Sequence, residues 1–183
     1  MKLYFTGAAS FNAEQKDKNK SLGGYKSSTE IPNDLLGNLF GDISMYTLDE
    51  KLRETKAIII YNESNSDLED LYIWFDKITD SLGLFEVAAV ALTPNSSGEV
   101  YMEYIDNIRA SPYVGNFVQA DTVSNKQLLS NLFESKSYLG LWLRRSITNS
   151  DKSQFNPDTL YSKYLAQQSL VTQGKVNITL EWT

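Results

Sequence analysis

Apolar and polar positions alternate with period two along much of the chain, and that pattern predicts short β-strands. In Tyr138–Ile147, Leu139, Leu141 and Leu143 fall on one side of an extended strand. Tyr138, Gly140, Trp142 and Arg144 fall on the other, so both faces are bulky until the two arginines. The segment at 70–77 is similar, with Leu71, Ile73 and Phe75 against Tyr72 and Trp74. In 84–92, Phe85, Val87, Ala89 and Ala91 oppose Leu84, Ala88, Val90 and Leu92. Lys175–Trp182 is one-faced, alternating Val176, Ile178, Leu180 and Trp182 with polar residues.

Further strands are predicted at 2–6, at 55–61, at 99–104 after the Pro94–Gly98 turn, and as an edge around Phe117. The polar link 62–67 is read as joining 55–61 and 70–77 into a hairpin. Helical spacing predicts a short helix over 31–41, two turns over 125–133 and a third helix over 157–168. Residues 7–30 are rich in Gly, Ser, Asn, Lys and Asp with few apolar anchors, so they read as an extended arm. Its best-defined point is Ser21-Leu22-Gly23-Gly24-Tyr25, an ordinary glycine turn on local evidence and not a phosphate cradle. The expected fold is mainly β, an antiparallel β-sandwich of immunoglobulin-like or jelly-roll-like kind with short helices. Residues 1–42 would form the arm with its helix, and 43–183 the sandwich.

Composition narrows the chemistry. A chain of 183 residues can bury a sizeable core in one domain. It has no cysteine and no histidine. Disulfides, thiolate metal sites, cysteine nucleophiles and serine–histidine triads are therefore excluded. The formal charge of −6 is spread along the chain, and the most basic run, Lys16–Lys20, is interrupted by Asp17. Specific nucleic-acid binding is not expected, although an acidic body could passively line a DNA channel. No apolar run approaches the roughly 20 residues that cross a bilayer. Leu3-Tyr4-Phe5 is too short for a signal-peptide core, so no membrane association is expected.

A catalytic reading must rest on carboxylates, lysine or tyrosine, and the strongest enzymatic option is a carboxylate pair, as in glycan hydrolysis. Glu99 and Glu103 would stand about 13 Å apart on a strand, beyond the roughly 5–9.5 Å those mechanisms use. Asp67, Glu69 and Asp70 sit in a polar turn and lack the spacing of a calcium loop, so they read as solvated carboxylates. Eleven tyrosines and three tryptophans leave a carbohydrate platform open, with Tyr72, Trp74, Tyr101 and Tyr104 as its candidate rings. The same rings could fill a core or an interface. Asn62, Asn95 and Asn177 match glycosylation acceptors, silent in a bacterial setting. No cofactor, metal or catalytic residue is expected.

Several pieces, in order, resemble a family of tailed-bacteriophage virion proteins that includes those of crAss-like phages. They are Ser21–Ser28, Asn38–Ser44, Ala57–Asn62, Ala89–Leu92, Ser111-Pro112 with Phe117, and Gly140–Arg145, spread over about two-thirds of the chain. The resemblance implies a non-enzymatic structural protein of a neck, connector or tail ring. Its partners would be copies of itself and portal, neck or tail proteins. It would be assembled in the host bacterial cytoplasm and reside in the virion. A lectin-like module or a head-fibre or decoration protein is the alternative. Leu22, Gly23, Gly24, Tyr25, Trp142, Arg144 and Arg145 are the assembly residues this reading nominates, with Arg144 and Arg145 emerging at an assembly surface.

Overall fold

The computed structural model describes residues 1–32, 39–40, 43–44, 53–77, 83–113, 115–147, 171–172 and 176–183. Its strands are β1 (Lys2–Phe5), β2 (Gly24–Tyr25), β3 (Ile43–Ser44), β4 (Arg53–Tyr61), β5 (Leu68–Lys77) and β6 (Leu84–Leu92). They continue with β7 (Tyr101–Met102), β8 (Val118–Gln119), β9 (Gln127–Phe133), β10 (Tyr138–Ser146), β11 (Val171–Thr172) and β12 (Val176–Glu181). Among the described residues they form a five-stranded sheet ordered β1-β4-β10-β6-β8 and a three-stranded sheet ordered β12-β5-β9. Two small ribbons, β2-β7 and β11-β3, complete the pairing. All of it is antiparallel. The expected β-sandwich is the observed fold.

The long strand at 138–146 is central, as its pattern demands. It pairs along its whole length with β4 on one side and β6 on the other, setting Leu141 between Ile58 and Ala89. Leu139, Leu141 and Leu143 enter the core between the sheets, with Ile58, Ile60 and Val87 from their own sheet and Leu71, Ile73, Phe75 and Phe133 from the other. A strand whose faces are both apolar needs cover on both. The second cover comes from the same chain. Leu22, Val100, Met102 and Ile105 pack on Ala57, Ile59, Ala88 and Trp142, making a third layer. Trp142 is 0% exposed. Its indole N–H has no hydrogen-bond partner, so packing alone holds the ring.

The segment expected to extend as an arm is thus part of the fold through residue 31. β1 joins the main sheet, Ile31 N donates to Leu3 O at 2.7 Å, and residues 21–24 are buried. The composition misleads because polar groups, and not apolar anchors, hold this segment. Ser21 Oγ donates to Ala57 O at 2.6 Å, and Gly23 N donates to Thr6 Oγ1 at 3.0 Å. Ser27 Oγ accepts from the backbone N–H groups of Gln15 and Thr29 while donating to Gln15 O. The free edge of β4 is occupied in relay: β1 pairs as far as Ile58, Ser21 O accepts from Ala57 N, and Ile108 O accepts from Thr55 N.

Two more expectations are corrected. β4 and β5 are not a hairpin, since they belong to different sheets. The link turns across the sandwich because the Asn62 side chain ties it down, donating to Ser66, Phe133 and Glu134 carbonyls at 3.0–3.1 Å. This asparagine is buried, so it is no glycosylation acceptor in the folded chain. Residues 127–133 are a strand, preceded by a 3-10 turn at Val123–Asn125. A spacing of four residues keeps side chains on one helix face, and equally on one strand face. Leu129 and Phe133 meet the core while Leu128 and Leu132 lie outside. The predicted strand at 99–104 is paired only at Tyr101–Met102. The predicted edge near Phe117 is found at β8. The helix expected over 157–168 lies outside the described residues, as do 33–38 and 41 of the helix expected over 31–41. Ile31, Leu39 and Phe40 are buried in the core.

The third layer approaches the sheet closely through two glycines. A Cβ on Gly140 would stand 3.0 Å from Met102 Sδ. At Gly23 the backbone has φ +91° and a Cβ would meet Glu103 O at 1.7 Å. Gly98 has a similar φ of +77° but open space around it. Gly98→Ala should therefore cost only the left-handed strain of about 1–2 kcal/mol. Gly23→Ala should cost distinctly more, because the layer must lift. Urea unfolding of the two variants measures the difference.

Candidate functional site

The residues nominated for assembly are inside the protein. Leu22, Gly23 and Gly24 are buried, Tyr25 is half-buried, and Trp142 lies beneath them. They come together at one joint between the third layer and the main sheet, where Tyr25 alone of the five is partly outward, against the exposed Tyr101 ring.

The arginines likewise do not emerge. Arg144, on the third-layer face, binds the Glu86 carboxylate through Nε at 2.8 Å and Nη2 at 2.7 Å, and its guanidinium lies 3.8 Å from the Phe117 ring centroid. The β10–β6 register places Arg144 directly opposite Glu86, so the pair is built in by strand alignment. Arg145 is 1% exposed. It faces the core side, opposite Glu54 on β4, and its Nη2 meets Glu54 Oε2 at 2.7 Å. Lys56, two residues along β4, is buried as well, with Nζ 3.4 Å from Glu54 Oε1 and donating to Asn19 Oδ1 at 3.4 Å.

Glu54 is thus shared by two buried cations, with Phe40 under the Arg145 guanidinium at 5.3 Å. Burial pushes the Lys56 pKa below its ordinary value near 10.5, against the opposing pull of Glu54. Lys26, buried over Tyr4, is lowered by the same cause. The sequence pattern missed this cluster, since Glu54, Lys56 and Arg145 look like solvated strand ends. Equal spacing of Glu54 and Lys56 on one face of an otherwise apolar strand was the available signal.

Of the carboxylates considered for catalysis, those of Glu99, Glu103 and Asp67 are engaged in local structure. Glu99 Oε2 accepts from Asn95 Nδ2 at 2.9 Å, both Glu103 oxygens accept from Tyr113 N at 2.7 and 2.8 Å, and Asp67 Oδ1 accepts from Ser135 N at 2.7 Å. Glu69 exchanges backbone hydrogen bonds with Thr183, and Asp70 takes a left-handed turn at φ 48°. Among the described residues, no group of three or more Asp or Glu could hold a metal ion.

The four aromatics considered as a sugar platform divide between two sides of the molecule. Tyr72 and Trp74 lie on the outer face of the three-stranded sheet, because Leu71, Ile73 and Phe75 take the core face. Trp74 Nε1 donates to Asp76 Oδ2 at 3.0 Å, and Lys126 Nζ sits 4.3 Å above the Tyr72 ring. Tyr101 lies on the outside of the third layer, opposite the buried Met102, and Tyr104, past the end of β7, is exposed as well. Tyr25 pairs with Tyr101 across the ribbon, ring centroids 5.1 Å apart and edge-to-face. Tyr113, 98% exposed, is fixed nearby through its N–H to Glu103. This tyrosine group is the outward chemistry of the third layer.

These features define an antiparallel β-sandwich carrying a third covering layer, with internal charge pairs and exposed rings on both outer surfaces. No family model, characterised protein or solved structure matches the chain.

The buried cluster yields a graded prediction. Glu54→Gln leaves two buried cations without their shared carboxylate and should destabilise by about 3–5 kcal/mol. Lys56→Met keeps Arg145 and Glu54 matched and should leave stability unchanged or raised. Lys56 also carries a pH signature. Below its lowered folded pKa it is charged in both states and the burial penalty stands in full. As pH rises from there toward 10.5, the folded protein releases the proton while the unfolded chain holds it, so stability increases. Lys26 adds in the same direction, so the difference between wild type and Lys56→Met in denaturant titrations across alkaline pH isolates Lys56.

Proposed function

We propose that the protein is a non-enzymatic structural component of a tailed-bacteriophage virion, a subunit of a neck, connector or tail ring. The observation that supports this reading best is where the segments carrying the resemblance fall in the fold. Ser21–Ser28 supplies Leu22 and β2 to the third layer, Ala57–Asn62 and Gly140–Arg145 are the paired centre of the main sheet, and Ala89–Leu92 flanks them in β6. Phe117 caps Arg144. These are joints of an architecture, and a likeness concentrated there is a likeness of scaffold. The partners proposed are copies of the same chain and adjoining portal, neck or tail proteins. Mass spectrometry of purified phage particles tests it: the protein should be present in many copies per particle, and its absence from intact virions would sink the reading.

A glycan-binding or decoration role is the second reading, favoured by the exposed tyrosine group on the third layer. Tyrosine offers flat apolar area and a hydroxyl at little entropic cost, which suits recognition of sugars. If this reading holds, a glycan array gives saturable binding that Tyr101→Ala and Tyr104→Ala abolish while Trp74→Ala, on the opposite side, leaves it intact. An array without binding rejects it.

A further inference from the structure

The open flank of the three-stranded sheet has the properties of an interface. β9 ends that sheet, and among the described residues no further strand follows it. Edge strands are usually blunted by charge, proline, brevity or a bulge, because they present unpaired backbone groups. Gln127–Phe133, with sequence QLLSNLF, has seven residues and neither charge nor proline. Its one departure from regularity is a register slip against β5 at Leu71/Tyr72. Leu128 and Leu132 are 44% and 50% exposed. Backbone groups are available too. Glu69 exchanges both of its hydrogen bonds with Thr183, on the β12 side of β5. Leu132, opposite Glu69, is therefore in a non-hydrogen-bonded pair and turns its N–H and C=O away from β5, toward the open edge. Among the described residues, the one group that meets Leu132 O there is the Ser130 hydroxyl.

We infer that this edge pairs antiparallel with the same edge of a second copy, about a two-fold axis at Ser130. In that register the segment complements itself. Leu128 of each copy lies opposite Leu132 of the other, continuing the outer apolar surface of Tyr72 and Trp74 across the junction. Lys126 at one end lies opposite Glu134 at the other, giving two symmetric ion pairs that flank the uncharged centre. Glu134 is exposed and its carboxylate meets no partner among the described residues, while Lys126 reaches Glu181 at 2.8 Å on the same rim. Charge complementarity at both ends selects a second copy over an unrelated strand. The contact closes at two copies, so it is separate from any ring contact and does not depend on the virion reading.

Sedimentation velocity across a concentration series reads the dimer directly. Glu134→Lys should weaken it by about tenfold or more, and adding Lys126→Glu should restore it, because like charges then become opposite again. Leu132→Pro removes an N–H the monomer does not use and should abolish dimerisation with little change in thermal unfolding. The chain has no cysteine, so Ser130→Cys supplies a single thiol. Its oxidation should give a covalent dimer, since facing residues on the axis stand about 5.5 Å apart at Cα, within disulfide reach. A protein that stays monomeric at millimolar concentration and forms no Ser130→Cys dimer overturns the inference. So does an oligomer indifferent to Glu134→Lys and Leu132→Pro, and either result leaves the particle measurement to decide the virion reading on its own.

Discussion

The structure depends on burying the β4–β10–β6 sheet on both faces. An antiparallel sheet with one wet face needs only a second sheet, and half its side chains can be polar. Here Leu141 looks into the sandwich while Trp142, its neighbour, looks the other way, and both are fully buried. Exposing Trp142 would return one of the largest apolar surfaces in the chain to water. The N-terminal segment and the 100–110 stretch remove that exposure, and Gly140 and Gly23 let them come close enough to do so. Topology, the position of the glycines and the burial of residues 21–24 all follow from that one requirement.

The same requirement explains the inward charges. β10 and β4 run past the end of the apolar core, where Glu54, Lys56 and Arg145 face the same side as the leucines and isoleucines. Such groups are held by pairing, since each alone would carry a large desolvation cost. They also constrain register. A one-residue slip of β10 against β4 would separate Arg145 from Glu54, and the same slip against β6 would separate Arg144 from Glu86. Hydrophobic alternation forbids one-residue slips generally. The two ion pairs discriminate further against two-residue slips, which alternation alone tolerates.

The central strand was legible because both neighbours must be apolar when a strand is apolar on both faces, and Leu139 to Leu143 carry that signal without help. The strand β12 was legible from the opposite pattern, one apolar face alternating with one polar face. The third layer was not, because its attachment runs through Thr6, Gln15, Ser21 and Ser27, whose hydroxyls and amide satisfy backbone groups. In a sequence such residues are indistinguishable from a solvated linker. β9 was misread since Leu128, Leu129, Leu132 and Phe133 fit periods of 3.6 and 2 equally well. The arginines were misread because a charge at the end of an apolar run signals emergence only when no opposite charge waits across the register, and register is invisible until pairing is known.

Internal cover changes what an assembly built from this chain would use. The assembly reading nominated residues 22–25 and Trp142 as contacts and residues 1–42 as an arm, while the central strand carries bulk on both faces. That surplus is consumed within one chain, so residues 21–25 and Trp142 are structural for the monomer and removing the segment would unfold it before it disassembled anything. Among the described residues, what remains outward includes the tyrosines on the third layer and the open edge with Leu128 and Leu132 on the three-stranded sheet. Rings with hydroxyls tolerate water, so the tyrosine surface is stable either bare or covered. An uncharged strand edge beside exposed leucines is less so, because unpaired backbone groups and apolar area there gain together from one partner strand. The physical drive toward association is therefore concentrated on β9.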